Sequence, residues 1–163
     1  MRKKHQKQYT MKKNILSIII IFELFLLQSI SLFSQNSSKT VSAPSYEWDL
    51  YNEINNVQIF VRHIECHDNA NGLHYEYVLL KFLNTSLQSK TISWNEKLYY
   101  NGNCVNCDEN SSELSFETEL LPNQQKQGDC KDNNDTFRIF SRFLNYKDKP
   151  ILTKYELFNI EIK

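Results

Sequence analysis

Cys104 and Cys107 are separated by two residues, a spacing that metal and redox chemistry both reuse. Two thiolates so spaced form half of a tetrahedral zinc site, and Cys66 and Cys130 would complete a four-cysteine set. The same motif performs thiol–disulfide exchange when a helix N-terminus lowers the pKa of one thiol. Here it lies in Asn103-Cys104-Val105-Asn106-Cys107-Asp108-Glu109-Asn110, a polar loop whose acidic neighbours disfavour a thiolate. A single CxxC is a weak zinc signature, since strong ones carry two. Two disulfides are the better reading, in one of three pairings. Loop-closure entropy separates 66–130 with 104–107 from 66–104 with 107–130 by only about 1 kcal/mol, so the pairing stays open. Asn103, Asp108 and Glu109 flank the cysteines and form a candidate binding loop.

Histidine is the other residue type with chemistry to offer. Beyond residue 35 there are His63, His67 and His74, all close to Cys66 in sequence. A hairpin that pairs residue 65 near residue 73 would put His63 by Tyr75 and His74 opposite Ile64. Three imidazoles, or imidazoles with a cysteine, would hold a metal and could serve a metal-dependent hydrolase. Polar positions of an ordinary hairpin beside a disulfide explain the same residues, and that reading is preferred. No histidine neighbours an evident Ser or Cys nucleophile together with a third orienting group. Glu117 and Glu119 alternate with Phe116 and Thr118, as the solvated side of a strand does.

Aromatic rings are the remaining candidates for a contact. Trp48, Trp94, Tyr99 and Tyr100 all have faces that stack on sugars. Trp94 is in phase with Ile92 and is expected in the core. Trp48 lies in Tyr46-Glu47-Trp48-Asp49-Leu50-Tyr51, an edge strand or surface flap, and is the better candidate for an exposed contact.

These residues must be positioned by an exported β-domain. Arg2, Lys3, Lys4, Lys7, Lys12 and Lys13 precede a mostly apolar run from Ile15 to Phe33, then Ser34 and a polar stretch. This order is that of a signal peptide spanning 1–35, with Met11 as a second start. Glu23 interrupts the apolar run and weakens it as a lasting membrane span. No stable span is expected once the leader is cleaved. Residues 36–45 read as a flexible polar segment, and 46–163 as a single domain. Without the leader's six basic residues and Glu23, the chain keeps thirteen basic and eighteen acidic side chains, a net charge of −5. That balance argues against nucleic acid. The chain has only three glycines, Gly72, Gly102 and Gly128, so there is no phosphate loop and no nucleophile elbow. No cofactor is expected.

Short alternating runs recur from Val57 to Ile162, and Asn101-Gly102 is a strong hairpin turn. About seven strands and no helix pattern after residue 45 predict an all-β, antiparallel two-sheet sandwich of immunoglobulin-like type behind an N-terminal signal helix. Counting reversals sends all four cysteines to one pole. The blocks EYVLLKFLN, ISWNEKLYYNGNCVNC, LLPNQQKQGDC and LTKYELFNIEIK, behind a leader ending Leu-Phe-Ser-Gln, resemble small exported Bacteroidota proteins of unknown function. The resemblance covers about residues 57–163. It implies an immunoglobulin-like sandwich with an envelope or extracellular address, and brings no catalytic residues. The expectation is a periplasmic or extracellular, non-enzymatic module whose partner is an envelope protein or glycan. A hydrolase using His63, His67 and His74, and a subunit that adds an edge strand to a partner sheet, are the alternatives.

Overall fold

In the computed structural model, which describes residues 37–40, 45–107, 114–131 and 135–163, the apolar alternation becomes β-strands. They are β1 (Ser37–Thr40), β2 (Asp49–Ile54), β3 (Val57–Asp68), β4 (Leu73–Asn84), β5 (Lys90–Tyr100), β6 (Asn103–Cys104), β7 (Ser115–Leu120), β8 (Gln125–Gln127), β9 (Arg138–Phe143) and β10 (Leu152–Ile162). A single 3-10 turn, Asp135–Phe137, precedes β9. Among the described residues no helix is long and apolar enough to cross a membrane. The signal helix expected at 1–35 lies outside them.

Two antiparallel sheets result. One runs β1-β10-β5-β6, with β7 also on β5. The other runs β2-β3-β4, and β4's far edge is shared by β8 along Lys81–Leu83 and β9 along Tyr75–Leu79. Val57, Ile59 and Val61 of β3 and Val78, Leu80 and Phe82 of β4 meet Ile92, Trp94 and Leu98 of β5 and Leu152, Tyr155 and Leu157 of β10 in one buried cluster. The all-β sandwich is therefore as the alternation predicts, because period-two patterning commits one face of each strand to the interior. Trp94 is in the core as expected, its ring 4.6 Å from that of Phe82 and 5.5 Å from that of Phe116.

Two differences from the sequence reading have a common cause. β3, β4, β5 and β10 are 11 or 12 residues long, not short. Within 36–45, read as a flexible polar segment, Ser37–Thr40 pairs along Lys154–Leu157 of β10. A ladder is made by backbone N–H and C=O groups, so it continues past the apolar stretch that sequence patterning can see.

Turn chemistry is legible. Asn101 and Gly102 have φ of 49° and 80°, as a two-residue hairpin between β5 and β6 requires. Asn55 and Asn56, with φ of 48° and 64°, do the same between β2 and β3.

Polar side chains tie the sheets together where the apolar core ends. The Tyr51 hydroxyl accepts from Leu157 N at 3.0 Å, and the Tyr100 hydroxyl donates to Phe140 O at 2.6 Å. At the opposite end from the β3–β4 turn, the fully buried Asn84 donates to Gln88 O (2.7 Å) and Leu121 O (3.1 Å) and accepts from Ser86 N (2.9 Å) and Oγ (2.7 Å). Asn84→Ala strands these buried partners at once. It is expected to lower unfolding free energy by about 1–3 kcal/mol, read as a shifted urea midpoint. A midpoint equal to that of the unaltered protein would show that this knot is dispensable.

Candidate functional site

Register fixes what each face of the second sheet presents. Val57 pairs with Asn84, and the ladder runs unbroken to Asp68 opposite Leu73. Odd residues of β3 and even residues of β4 therefore face the core, and the others face outward. The outward set contains Phe60, Arg62, Cys66, Tyr75, Tyr77, Leu79 and Lys81. β9 adds Arg138 beside Leu79, Phe140 beside Tyr77 and Phe143 beside Tyr75.

These outer residues form an aromatic patch. The Tyr75 ring lies 5.9 Å from Tyr77 and 5.4 Å from Phe143; Phe140 lies 5.8 Å from Tyr77 and 5.0 Å from Phe143. Tyr146, 48% exposed, extends the patch at 5.5 Å from Phe143. Cations lie on the rings: Arg138 over Tyr77 at 4.9 Å, Arg62 and Lys81 over Trp48 at 4.6 and 4.5 Å, and Lys81 over Phe60 at 4.3 Å. Burial and the neighbouring Arg62 charge lower the Lys81 pKa. Leu79 is fully buried although it belongs to this outer face, so the surrounding side chains form a closed layer.

Trp48, expected as an exposed contact, is half-buried and carries its two cations at the margin of this layer. Tyr75, Tyr77, Phe140 and Phe143, which pack together elsewhere on this face, are not among the residues that the sequence singles out. The signal available was β4 itself, apolar on both faces over Tyr77–Leu83. That pattern marks a central strand, one with apolar side chains to cover on both faces.

The cysteines pair as Cys66–Cys130 and Cys104–Cys107, with Cα separations of 5.5 and 5.7 Å. Cys130 Sγ lies 3.8 Å from Glu65 O, so the first bridge pins the loop between β8 and β9 onto β3. The second is local. Asn106 accepts from Leu98 N at 2.8 Å and donates to Glu96 O at 2.6 Å, which folds Cys104–Cys107 back along β5. A four-cysteine zinc set is therefore excluded by the pairing, since each sulfur is already bonded. Asn103 is exposed in β6; Asp108 and Glu109 lie outside the described residues.

The histidines do not take the register the sequence suggested. Residue 65 pairs with 76, not near 73, because the turn is confined to residues 69–72. His63 is consequently opposite Val78, Ile64 is opposite Tyr77, and His67 is directly opposite His74. His63 is buried with its Nδ1 3.5 Å from the Glu76 carboxylate. Glu76, itself 3% exposed, accepts from Ser141 Oγ (2.8 Å) and Arg142 Nη2 (2.9 Å). This is a charge-compensated knot beneath the β4–β9 bulge. His67 and His74 stand further out, with Nδ1 atoms 2.9 Å apart. Among the described residues no three His, Cys, Asp or Glu side chains gather to hold a metal, so His63, His67 and His74 do not form one ligand set.

The first sheet offers less. A shallow, polar depression lined by Ser93, Asn95, Asn159, Ile160 and Glu161 sits where the β5–β10 register slips between Phe158 and Glu161. Glu117 and Glu119 are exposed on β7, as expected of a solvated strand face. Comparison with family models, curated proteins and solved structures finds no significant match to this chain.

Proposed function

We propose that this chain is an exported, non-enzymatic β-sandwich module of the cell envelope, periplasmic or extracellular, that binds its ligand on the outer face of β2-β3-β4-β9. The observation that carries the reading is the aromatic layer of Tyr75, Tyr77, Phe140, Phe143 and Tyr146, with Arg138 over Tyr77, on the same sheet face as Trp48 and Phe60, which carry Arg62 and Lys81. Flat rings give stacking surface at low entropic cost, and cations held among them favour an anionic group. The chain has a net charge of −5 after the leader, so a basic, aromatic face is a local departure from its average. A glycan bearing carboxylates has both the flat faces and the charge that such a surface matches. Two disulfides are compatible with the oxidising setting that export provides. The immunoglobulin-like arrangement belongs to the same reading, supported by two antiparallel sheets of five strands each that share one buried core.

The test is binding of the purified chain to polygalacturonate and to peptidoglycan, compared with neutral dextran. Tyr77→Ala and Arg138→Gln are each expected to weaken retention on the acidic polymer about tenfold, close to 1.4 kcal/mol. Equal retention by both variants, or no retention on any polymer, would remove the face from consideration. One further observation favours a second reading. Among the described residues β2 ends its sheet, with Leu50 53% exposed, so it could accept a strand from an assembly partner. Co-purification of a partner lost on Leu50→Lys, with the aromatic variants unaffected, would select that reading.

A further inference from the structure

We infer that His67 and His74 form a cross-strand chelate for a borderline divalent cation, with copper(II) the tightest. Independently of the aromatic face, the site stands on geometry at the β3–β4 rim. The two residues are direct partners across the ladder, and their Nδ1 atoms are 2.9 Å apart. Metal–imidazole bonds of about 2.0–2.1 Å at a right angle place two nitrogens about 2.8–3.0 Å apart. The rings are already at the spacing of adjacent corners in a tetragonal site, the geometry that copper(II) and nickel(II) prefer. Their planes are inclined by 59°, and the last torsion of histidine is broad, so each ring can turn its lone pair toward a shared ion.

The other nitrogen of His67 is also engaged. Nε2 lies 3.8 Å from Glu65 Oε2, and Tyr46 Oη donates to Glu65 Oε1 at 3.3 Å. A carboxylate behind a ligating imidazole favours the proton on the remote nitrogen and leaves the near one free to bind. The proton balance is simple. Without metal, one neutral ring donates its Nδ1 proton to the other Nδ1. With metal, both Nδ1 atoms coordinate and each ring carries its proton on Nε2, so no proton need leave the protein. His67 and Glu65 are 48% and 43% exposed in their side chains, so an ion has an open approach. Because among the described residues no third His, Cys, Asp or Glu joins the pair, water or a group from another molecule takes the remaining positions.

The experiment is titration of the untagged chain with copper(II), nickel(II) and zinc(II), with copper followed by electron paramagnetic resonance. Copper is expected to bind tightest, with coupling to two equivalent imidazole nitrogens. His67→Ala and His74→Ala should each reduce copper affinity about 100-fold, because a chelate becomes a single ligand. Glu65→Gln should reduce it about tenfold. Histidine at position 5 is retained in every variant and cancels in the comparison. Unfolding midpoints of the variants should match the parent, since the rim lies outside the core. Copper affinity unchanged in both histidine variants, or a spectrum with only one imidazole nitrogen, would overturn the inference.

Discussion

Replacing Cys66 and Cys130 together by alanine is expected to destabilise the domain by about 4 kcal/mol, whereas replacing Cys104 and Cys107 together costs about 2 kcal/mol or less. The asymmetry follows from what each bridge closes. Cys66–Cys130 spans a sequence separation of 64, and its reduction releases a long loop into the unfolded ensemble. Cys104–Cys107 spans three and restrains a turn that Asn106 already holds through Leu98 and Glu96. The long bridge also anchors the connection that carries Phe137 into the core, 5.9 Å from the Phe82 ring. At this domain size the first variant should melt about 10–20 °C below the parent. Urea midpoints of the two double variants and the parent, measured in parallel, decide the matter. Equal losses in the two, or a long-bridge loss below about 1 kcal/mol, would refute the ranking.

Glu96→Gln is expected to stabilise the protein at pH 8 and to remove a pH dependence of the parent. Glu96 belongs to the inward face of β5, between Trp94 and Leu98, and is 3% exposed. Burial pushes its pKa from 4.5 up to about 8, against the opposing pull of the Trp94 Nε1–H donor at 3.3 Å. The nearby Tyr100 is raised to about 12, by burial first and by Glu96 second. The folded carboxyl holds its proton more tightly than the unfolded one, so folding takes up a proton between pH 4.5 and about 8. Its contribution is therefore most favourable below pH 4.5, declines through that window, and is lowest above pH 8. At pH 7 the penalty is of order 3 kcal/mol. Unfolding free energies of parent and variant should diverge most between pH 5 and 7 and less between pH 7 and 9, levelling off above pH 8. A difference that stays constant across the three would mean that Glu96 is ionised in both states and that its burial has been misjudged.

Several of these features were within reach of the sequence. Ile92, Trp94, Leu98 and Tyr100 set the inward phase of β5, and Glu96 falls in that phase; alternation alone flags it as a buried acid. The Asn101-Gly102 turn and the solvated Glu117 and Glu119 follow from local chemistry and are found where expected. The histidine register was not legible. Glu65, His67, His74 and Glu76 are polar on both strands, so no apolar pattern marks how far pairing runs, and a shift of a few residues decides which imidazoles meet. The outer aromatic layer was not legible either. Tyr75 and Tyr77 gain their neighbours only when β9 is placed beside β4, bringing Phe140 and Phe143 onto the same face.

Local patterning determined the all-β class, the antiparallel sandwich and the identity of its core, because side-chain direction alternates within each strand and burial selects one face. Tertiary structure alone decided which cysteines bond and which histidines touch. The entropies of alternative loops differ by about 1 kcal/mol, too little to choose among pairings. The choice is made by the shared edge of β4. With β8 below and β9 above, the chain between them passes near Cys66, and Cys130 bonds there.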